Sequence, residues 1–376
     1  MDVMSGTCFL LILRRMWAGP AAVFAVGSGL VHRLCRALPG PAPGADVVWG
    51  CHPGGPGVER PRTGHGHGRA ARGRSEDHAM KLIMTLLVRD EADIVRANLD
   101  FHLAAGVDAV VAIDNGSRDG TREILAEYQA AGVAEVLDEP GRDFAQGAWV
   151  TRAALHARDR MGADWIFNND ADEFWVAPGG SLKEVAEGQM LHCARRNMFT
   201  AAETLGRGDW ADRLIHRTGT PVPTPELKDI YRDPLPCPYL YLDLPGKVML
   251  RAAGLQRVAQ GNHHGWYDDP VTPREAPVVI YHFPIRTPEQ FEKKIRQGGQ
   301  AYAANRDLPE RMGWHWRRWY RMYQESGLDA VLADTLPSQD RLAADLASGR
   351  VVRDTGFPGQ PETPGPIRAA ALSARP

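Results

Sequence analysis

Cysteine is scarce in this chain of 376 residues. There are five, Cys8, Cys35, Cys51, Cys193 and Cys237, with no CxxC pair. An odd, unclustered set argues against a disulfide scaffold or a structural zinc site and fits a reducing compartment. No excess of one charge exists either: 44 Lys and Arg stand against 46 Asp and Glu, a formal net charge of −2. A general nucleic-acid binder carries a large cationic surplus, so nucleic acid is not an expected partner. No uninterrupted apolar run reaches the roughly 20 residues that a membrane-spanning helix needs. The three-glycine dinucleotide fingerprint is missing after both early strands, and so is a Walker A lysine motif, which disfavours a nicotinamide dehydrogenase and a P-loop NTPase. What remains, 44% hydrophobic and 24% charged residues, is ordinary globular composition, and the length allows two or three domains at roughly 100–200 residues each.

Lysine is absent from residues 1–79, which hold nine Arg, 14 of the 39 Gly and 7 of the 28 Pro. From Val58 to His78 the sequence is Gly/Arg/His-rich and offers little to bury. Three readings compete for this stretch. Met16 to Val31, behind Arg14 and Arg15, resembles a short signal or anchor segment, although Gly19-Pro20 interrupts it. A disordered extension with a local helix is the second. The third is that translation begins at Met80, which the abrupt change to strand-like sequence there favours. The residues from Gly356 on, rich in Pro, Gly and Ala, read as a disordered tail. The expected organisation is therefore a disordered or spurious extension over 1–79, an α/β domain over 80–300, a helical segment over 301–355 and a tail over 356–376.

After Met80 strands and helices alternate. Leu82 to Val88 is a nearly continuous apolar run, the mark of a strand buried on both faces. Asp90 can cap a following helix that closes at Gly106. Ala109 to Ile113 is a second strand. A helix from Thr121 to Ala131, a short strand from Ala134 to Leu137, a helix from Phe144 to Arg160 and a strand at Trp165 to Phe167 follow. This alternation predicts right-handed βαβ units and a Rossmann-like, mostly parallel sheet flanked by helices. Ligands in such sheets bind at the carboxyl ends of the strands. Three of those ends are acidic or amide-rich: Val88-Arg89-Asp90-Glu91, Asp114-Asn115-Gly116-Ser117, and Asn168-Asn169-Asp170-Ala171-Asp172-Glu173.

The last of these puts three carboxylates within four residues beside a buried strand. Mutual repulsion there invites a divalent cation, and Mg²⁺ or Mn²⁺ suits hard oxygen ligands next to a phosphate. The plain alternative is a solvated acidic turn. Asp114 sits where a carboxylate can accept hydrogen bonds from a base or ribose, or it can simply shape a turn in which Gly116 and Gly120 supply unusual dihedrals.

The run RDEADIVRANLDFHLAAGVDAVVAIDNGSRDGT (Arg89 to Thr121), followed by DWIFNNDADEFW (Asp164 to Trp175), resembles the family 2 glycosyltransferases of the GT-A fold. It is closest to the bacterial subgroup with the pattern "RNE…DNGSTDGT…DADEF", with Asp90 standing where the family usually has Asn. The likeness covers about residues 81–300, so the 80–300 domain would be the GT-A domain. It implies a metal-dependent transfer of a sugar from a nucleotide-sugar, such as a UDP- or GDP-sugar, to a glycan, lipid or small-molecule acceptor, with inversion. Asp114 would contact the base, and Arg89 and Glu91 would line the base pocket. Asp170 would hold the ribose or a metal-bound water, and Asp172 would ligate Mn²⁺ or Mg²⁺. His263, His264 and His282 are eligible to complete the metal shell. Lys247 and Arg286 are candidates to face the diphosphate, and Asp268 and Asp269 are candidate bases. Two other classes compete: a catalytically silent sugar-nucleotide or glycan-binding protein on the same fold, and a nucleotidyltransferase.

Thr287-Pro288-Glu289-Gln290 reads as a cap, a first-turn proline and a capping-box glutamine. Further on, Trp314, Trp316, Trp319, Tyr320 and Tyr323 crowd a basic stretch with Arg311, Arg317, Arg318 and Arg321. That stretch reads either as a helix packing its aromatics while its arginines snorkel, or as a surface for an acceptor or an anionic membrane. Residues 201–246 read as an irregular insertion on the acceptor side. The expected location is cytoplasmic, with a peripheral contact at the inner face of the membrane under the second of those readings.

Overall fold

A computed structural model describes residues 79–141, 145–304 and 312–359. The expectations for 1–78 and for 360–376 lie outside the described residues. Strands β1 (Leu82–Val88), β2 (Ala109–Asp114), β3 (Ala134–Asp138) and β4 (Trp165–Asn169) alternate with helices α1 (Val95–Ala104), α2 (Thr121–Ala130) and α3 (Gln146–Met161). The chain continues through β5 (Glu173–Val176), β6 (Met190–Asn197), the short α4 (Trp210–Arg213), β7 (His216–Thr218), β8 (Lys247–Arg251), β9 (Leu255–Val258), β10 (Gly265–Tyr267) and β11 (Arg274–His282). It ends in α5 (Pro288–Ala304), α6 (Trp314–Thr335), α7 (Gln339–Ala347) and β12 (Val351–Arg353). Eight strands form one sheet in the order β3-β2-β1-β4-β8-β6-β11-β5. The β3-β2-β1-β4 half is wholly parallel, and β8 and β5 run antiparallel to their neighbours. This is the mostly parallel α/β sheet expected from the alternation.

The continuous apolar strands are explained by cover on both faces. Leu82, Met84 and Leu86 of β1 point into a core shared with Val95 and Leu99 of α1 and Leu125 and Tyr128 of α2. Ile83 points the other way, against Trp149, Val150, Ala153 and Ala157 of α3. Successive side chains of a strand alternate faces, so a strand between two helical layers is apolar on both, and the polar Thr85 of β1 is kept only by donating to Asn168 Oδ1 of β4 at 2.9 Å.

The start of α1 differs from expectation. Asp90 does not cap it: the helix begins at Val95 behind Ile94, with no side-chain cap. Asp90 instead adopts a left-handed conformation, φ 56°, and ties three elements together. Its Oδ1 accepts from Arg118 N at 2.6 Å, its Oδ2 accepts from Gln297 Nε2 at 2.5 Å, and its own N–H donates to Ser117 Oγ at 3.0 Å. A carboxylate with partners on the β2 turn and on α5 is worth more there than as a local cap, and a short polar residue tolerates the left-handed region. The Thr287 cap does form: Gln290 N donates to Thr287 Oγ1 at 3.1 Å, and Gln290 Oε1 accepts from Arg286 N at 3.1 Å.

The aromatic basic stretch is mainly structural. Trp319 is buried against Phe291 and Tyr239. Arg318 does not snorkel to solvent; it is buried, pairs with Asp334 at 2.6 Å and donates to the carbonyls of Ile230 and Asp233. Helices α5 and α6 approach closely because α5 carries Gly298-Gly299. A Cβ at Gly299 would lie 2.1 Å from Tyr320 Cγ, and one at Gly298 would lie 2.5 Å from Trp316 Cε3. We expect Gly299→Ala to destabilise the protein by about 1–2 kcal/mol in denaturant unfolding, the overpacking cost exceeding alanine's gain in helix propensity. Unchanged or raised stability would show that the helix pair separates freely. Beyond the expected tail boundary, Phe357 still packs against Phe174 and Phe283. No helix among the described residues is long and apolar enough to cross a membrane.

Candidate functional site

The acidic turn between β4 and β5 is held by buried polar groups of α1. Asn98 Nδ2 donates to the Glu173 carbonyl at 2.7 Å, and Asn169 Nδ2 donates to Asn98 Oδ1 at 3.0 Å. Asn169 Oδ1 accepts from Trp175 Nε1 at 2.9 Å. His102 Nδ1 pairs with the Asn98 carbonyl at 2.8 Å, while its Nε2 accepts from Trp175 N at 3.2 Å. Burial drives His102 down to about 4, so the ring is neutral at pH 7 and the tautomer follows from its partners. From the other side Asn262, left-handed at φ 57°, donates to the carbonyls of Asn168 and Val248, both at 2.9 Å. The turn carrying Asp170 and Asp172 is therefore clamped before any ligand arrives.

A cavity of about 580 Å³ opens over this turn, lined by residues from the ends of β1 and β4, from α5 and from the start of α6. Arg89, Glu91, Asp170, Asp172, His263 and His282 all line it. Lys294 of α5 also lines it, with Nζ 2.6 Å from Asp172 Oδ2 and 2.8 Å from Glu91 Oε1. Arg286 lies behind the wall and 1% exposed. It donates to Asp93 through Nε at 2.7 Å and NH2 at 3.0 Å, to Glu91 through NH2 at 2.7 Å, and to the Phe283 carbonyl through NH1 at 3.0 Å. Lys247, equally buried, sits 2.6 Å from Asp170 and 2.5 Å from Glu173, and Arg195 adds a fourth cation 3.1 Å from Glu173. Neither Lys247 nor Arg286 faces the cavity; each positions the carboxylates that do.

These cations set the ionisation of the cluster. Burial pushes the Asp172 carboxyl up, but Lys294 and Arg286 outweigh it and hold it well below the usual carboxylate range. Burial likewise opposes, and Lys247 reverses, the shift at Asp170, which also ends low. Glu173 has no exposure left, and burial keeps it raised despite Lys247. Burial drives His282 down to about 3, so it is neutral at pH 7. Arg89 lines the cavity, and its buried Nε has no hydrogen-bond partner among the described residues.

Besides Lys247 and Arg286, four sequence candidates do not line this cavity. Asp114 is buried at the end of β2 and serves its own turn: Oδ1 accepts from Ser117 N at 3.1 Å, and Oδ2 lies 4.0 Å from Arg122. Its neighbour Asn115 lines the cavity instead. His264 packs edge-on against Trp266 on the small β9–β10 sheet. Asp268 and Asp269 follow β10, exposed and not among the residues that line the cavity, and Asp268 accepts from Gln256 at 3.3 Å. Conversely, Lys294 and Arg195 were missed by sequence reasoning. Both sit in ordinary charged positions of a helix and a strand, and their partners lie 122 and 22 residues away.

No family model matches the chain, and no curated protein matches it in sequence. Among solved structures, the chain is similar to S. aureus TarS 1-349 in complex with UDP, at 15% identity over 66% of this chain and 73% of that one, TM-score 0.33. It is similar to the same protein in complex with UDP-GlcNAc at 14% identity over 65% and 73%, TM-score 0.34. A mycobacterial protein aligns at 22% identity over 31% of this chain and 41% of that one, TM-score 0.23.

Proposed function

We propose that the protein is a glycosyltransferase that moves a sugar from a nucleotide-sugar to an acceptor hydroxyl with inversion. The observation that carries this reading is the pairing of a clamped acidic turn with a cavity-facing lysine at the carboxyl end of a parallel sheet. Lys294 is shared between Asp172 and Glu91 rather than locked to one carboxylate. Such a cation can stay charged at its site and turn toward the diphosphate of a bound donor. Arg89 and Arg195, both on the cavity wall, add charge on either side. Fixed cations aimed at a departing diphosphate stabilise the charge that builds as the glycosidic bond breaks, and they act without reorganising solvent. The base end of the donor would rest on Arg89, Glu91 and Asn115, at the end of β1 and the turn after β2.

A divalent cation fits two of these residues. His282 Nδ1 donates to Asn197 Oδ1 at 2.8 Å, which leaves Nε2 as an acceptor 3.7 Å from Asp172 Oδ1. Two lone-pair atoms face each other there with no proton between them, and the histidine is oriented through its other nitrogen as metal-binding histidines are. Among the described residues no group of three or more His, Cys, Asp or Glu side chains is arranged to hold a metal alone, so phosphate oxygens and water would complete the shell. Mn²⁺ or Mg²⁺ held by Asp172 and His282 would add Lewis-acid neutralisation of the diphosphate. A reducing, cytoplasmic setting belongs to the same proposal: Cys193 and Cys237 are both buried free thiols, and burial raises Cys193 to about 12, which keeps it unreactive.

The test is a thermal-shift panel of UDP-, GDP-, CMP- and dTDP-sugars with and without Mn²⁺, followed by a donor-consumption assay. At a hundredfold excess over Kd, binding stabilises the fold by about 2.7 kcal/mol, or roughly 5–10 °C for a domain of this size. One UDP- or GDP-sugar should give such a shift and be turned over, with turnover lost in excess EDTA. Binding without turnover would leave a binding protein, and no shift with any nucleotide sugar would sink the reading.

A further inference from the structure

The cavity has a second end whose chemistry differs from the first. Tyr239, Trp314, His315 and Trp316 line it, with Tyr239 set edge-on to Trp314 at 5.5 Å and His315 5.2 Å from Trp316. Trp314 and Trp316 are half-buried, so ring surface remains open to a ligand. Polar groups line the cavity together with these rings, Thr224 and Asp243 among them. An acyl chain would need a continuous apolar lining. Aromatic faces alternating with hydrogen-bonding edges match a sugar ring, which has apolar C–H faces and a hydroxylated rim.

Asp243 stands out among the carboxylates of the cavity. Glu91, Asp170 and Asp172 are each ion-paired at 2.8 Å or less. Asp243 is exposed on the wall and has neither an ion pair nor a side-chain hydrogen bond among the described residues. Its backbone is nevertheless fixed. Asp243 N donates to the Val222 carbonyl at 2.6 Å, and Val222 N donates to the Tyr241 carbonyl at 2.8 Å. A carboxylate held by its backbone and left free at its oxygens is what a general base requires. Asp268 and Asp269 do not line the cavity.

We infer that the aromatic end of the cavity is the acceptor subsite, that it takes a carbohydrate ring, and that Asp243 is the base. This rests on the glycosyltransferase reading above. The acceptor hydroxyl oxygen bonds to the anomeric carbon of the donor sugar while the bond from that carbon to the diphosphate oxygen breaks. The bonding pair leaves on the diphosphate, and the hydroxyl proton passes to the Asp243 carboxylate.

The experiment uses the full chain, UDP and GDP as donor-end probes, and a panel of mono- and disaccharides as acceptors, beside a polyprenol phosphate and a peptide panel. Transfer to a saccharide should fall at least about 100-fold in Asp243→Asn, the low end of the range for loss of a general base, with nucleoside diphosphate affinity unchanged by calorimetry. Trp314→Leu should raise the saccharide concentration for half-maximal transfer by about tenfold, the effect of losing one aromatic contact, again with nucleotide affinity unchanged. Transfer by Asp243→Asn within threefold of wild type overturns the base assignment. Transfer to the polyprenol phosphate or the peptides but not to saccharides, or to nothing in the panel, overturns the acceptor class while nucleotide binding keeps the donor reading alive. Wild-type protein that binds neither nucleoside diphosphate removes both.

Discussion

Asp172→Asn should lower sugar transfer by about 100- to 1000-fold, the usual effect of removing one preorganised charge from a transition-state site, while the protein still folds. The change keeps side-chain volume and removes one negative charge. In the native protein that charge faces Lys294 at 2.6 Å, Arg286 at 3.9 Å and the neutral ring of His282 at 3.7 Å. Without it Lys294 has only Glu91, and the cation that the proposed function sets against the diphosphate loses its bearing. The fold should tolerate the loss, because Lys294 lies on the cavity wall with 19% of its side chain exposed and can turn toward water. Steady-state transfer measured beside a thermal melt checks both halves. A melt within a few degrees of wild type with full transfer would remove Asp172 from the chemistry.

Arg286→Met should have the largest effect on stability. The guanidinium is 1% exposed and holds Glu91, Asp93 and the Phe283 carbonyl at 2.7–3.0 Å, joining the β1–α1 turn to the segment before α5. Breaking a buried ion pair by deleting one partner typically costs about 3–5 kcal/mol, since the other charge stays buried and unpaired. Asp93 keeps some water, at 44% exposed, while Glu91, at 10%, loses one of its two cations and keeps only Lys294, 2.8 Å away, so the weakened Glu91 should bear most of the penalty. At roughly 2–4 °C per kcal/mol for a domain of this size, the melting temperature should fall by about 6–20 °C. Arg286→Lys should recover part of this, because the charge returns but the planar fork does not. Equal melting temperatures for Arg286→Met and wild type would mean that the ion pairs contribute nothing net.

The acidic turn at Asp170 to Glu173 stood out in the sequence from its place after a buried strand, and Asp170 and Asp172 line the cavity. What neutralises it was not legible there. Repulsion among three carboxylates argued for a metal; the folded chain supplies Lys247, Lys294, Arg286 and Arg195 as well, from strands and helices up to 122 residues away. Asp114 shows the opposite case. Its position at a strand end suggested a ligand contact, yet its carboxylate closes the local turn on Ser117 N, a bond that the sequence reading allowed as its plain alternative.

The sequence by itself determined the order of strands and helices in the first half, the double cover of the sheet and the strand ends over which the cavity opens. Each of these depends on local apolar periodicity, turn residues and the handedness of βαβ units, which are short-range properties. The cap at Thr287 and Gln290 was legible for the same reason. Only the tertiary structure decided that Lys294 stands against Asp172, that Arg286 and Lys247 lie behind the wall, and that Asp243 rather than Asp268 or Asp269 faces the cavity. Ion pairing between distant elements leaves no periodicity in a chain, because one lysine on a helix looks like the next until the fold puts a carboxylate 2.6 Å from it.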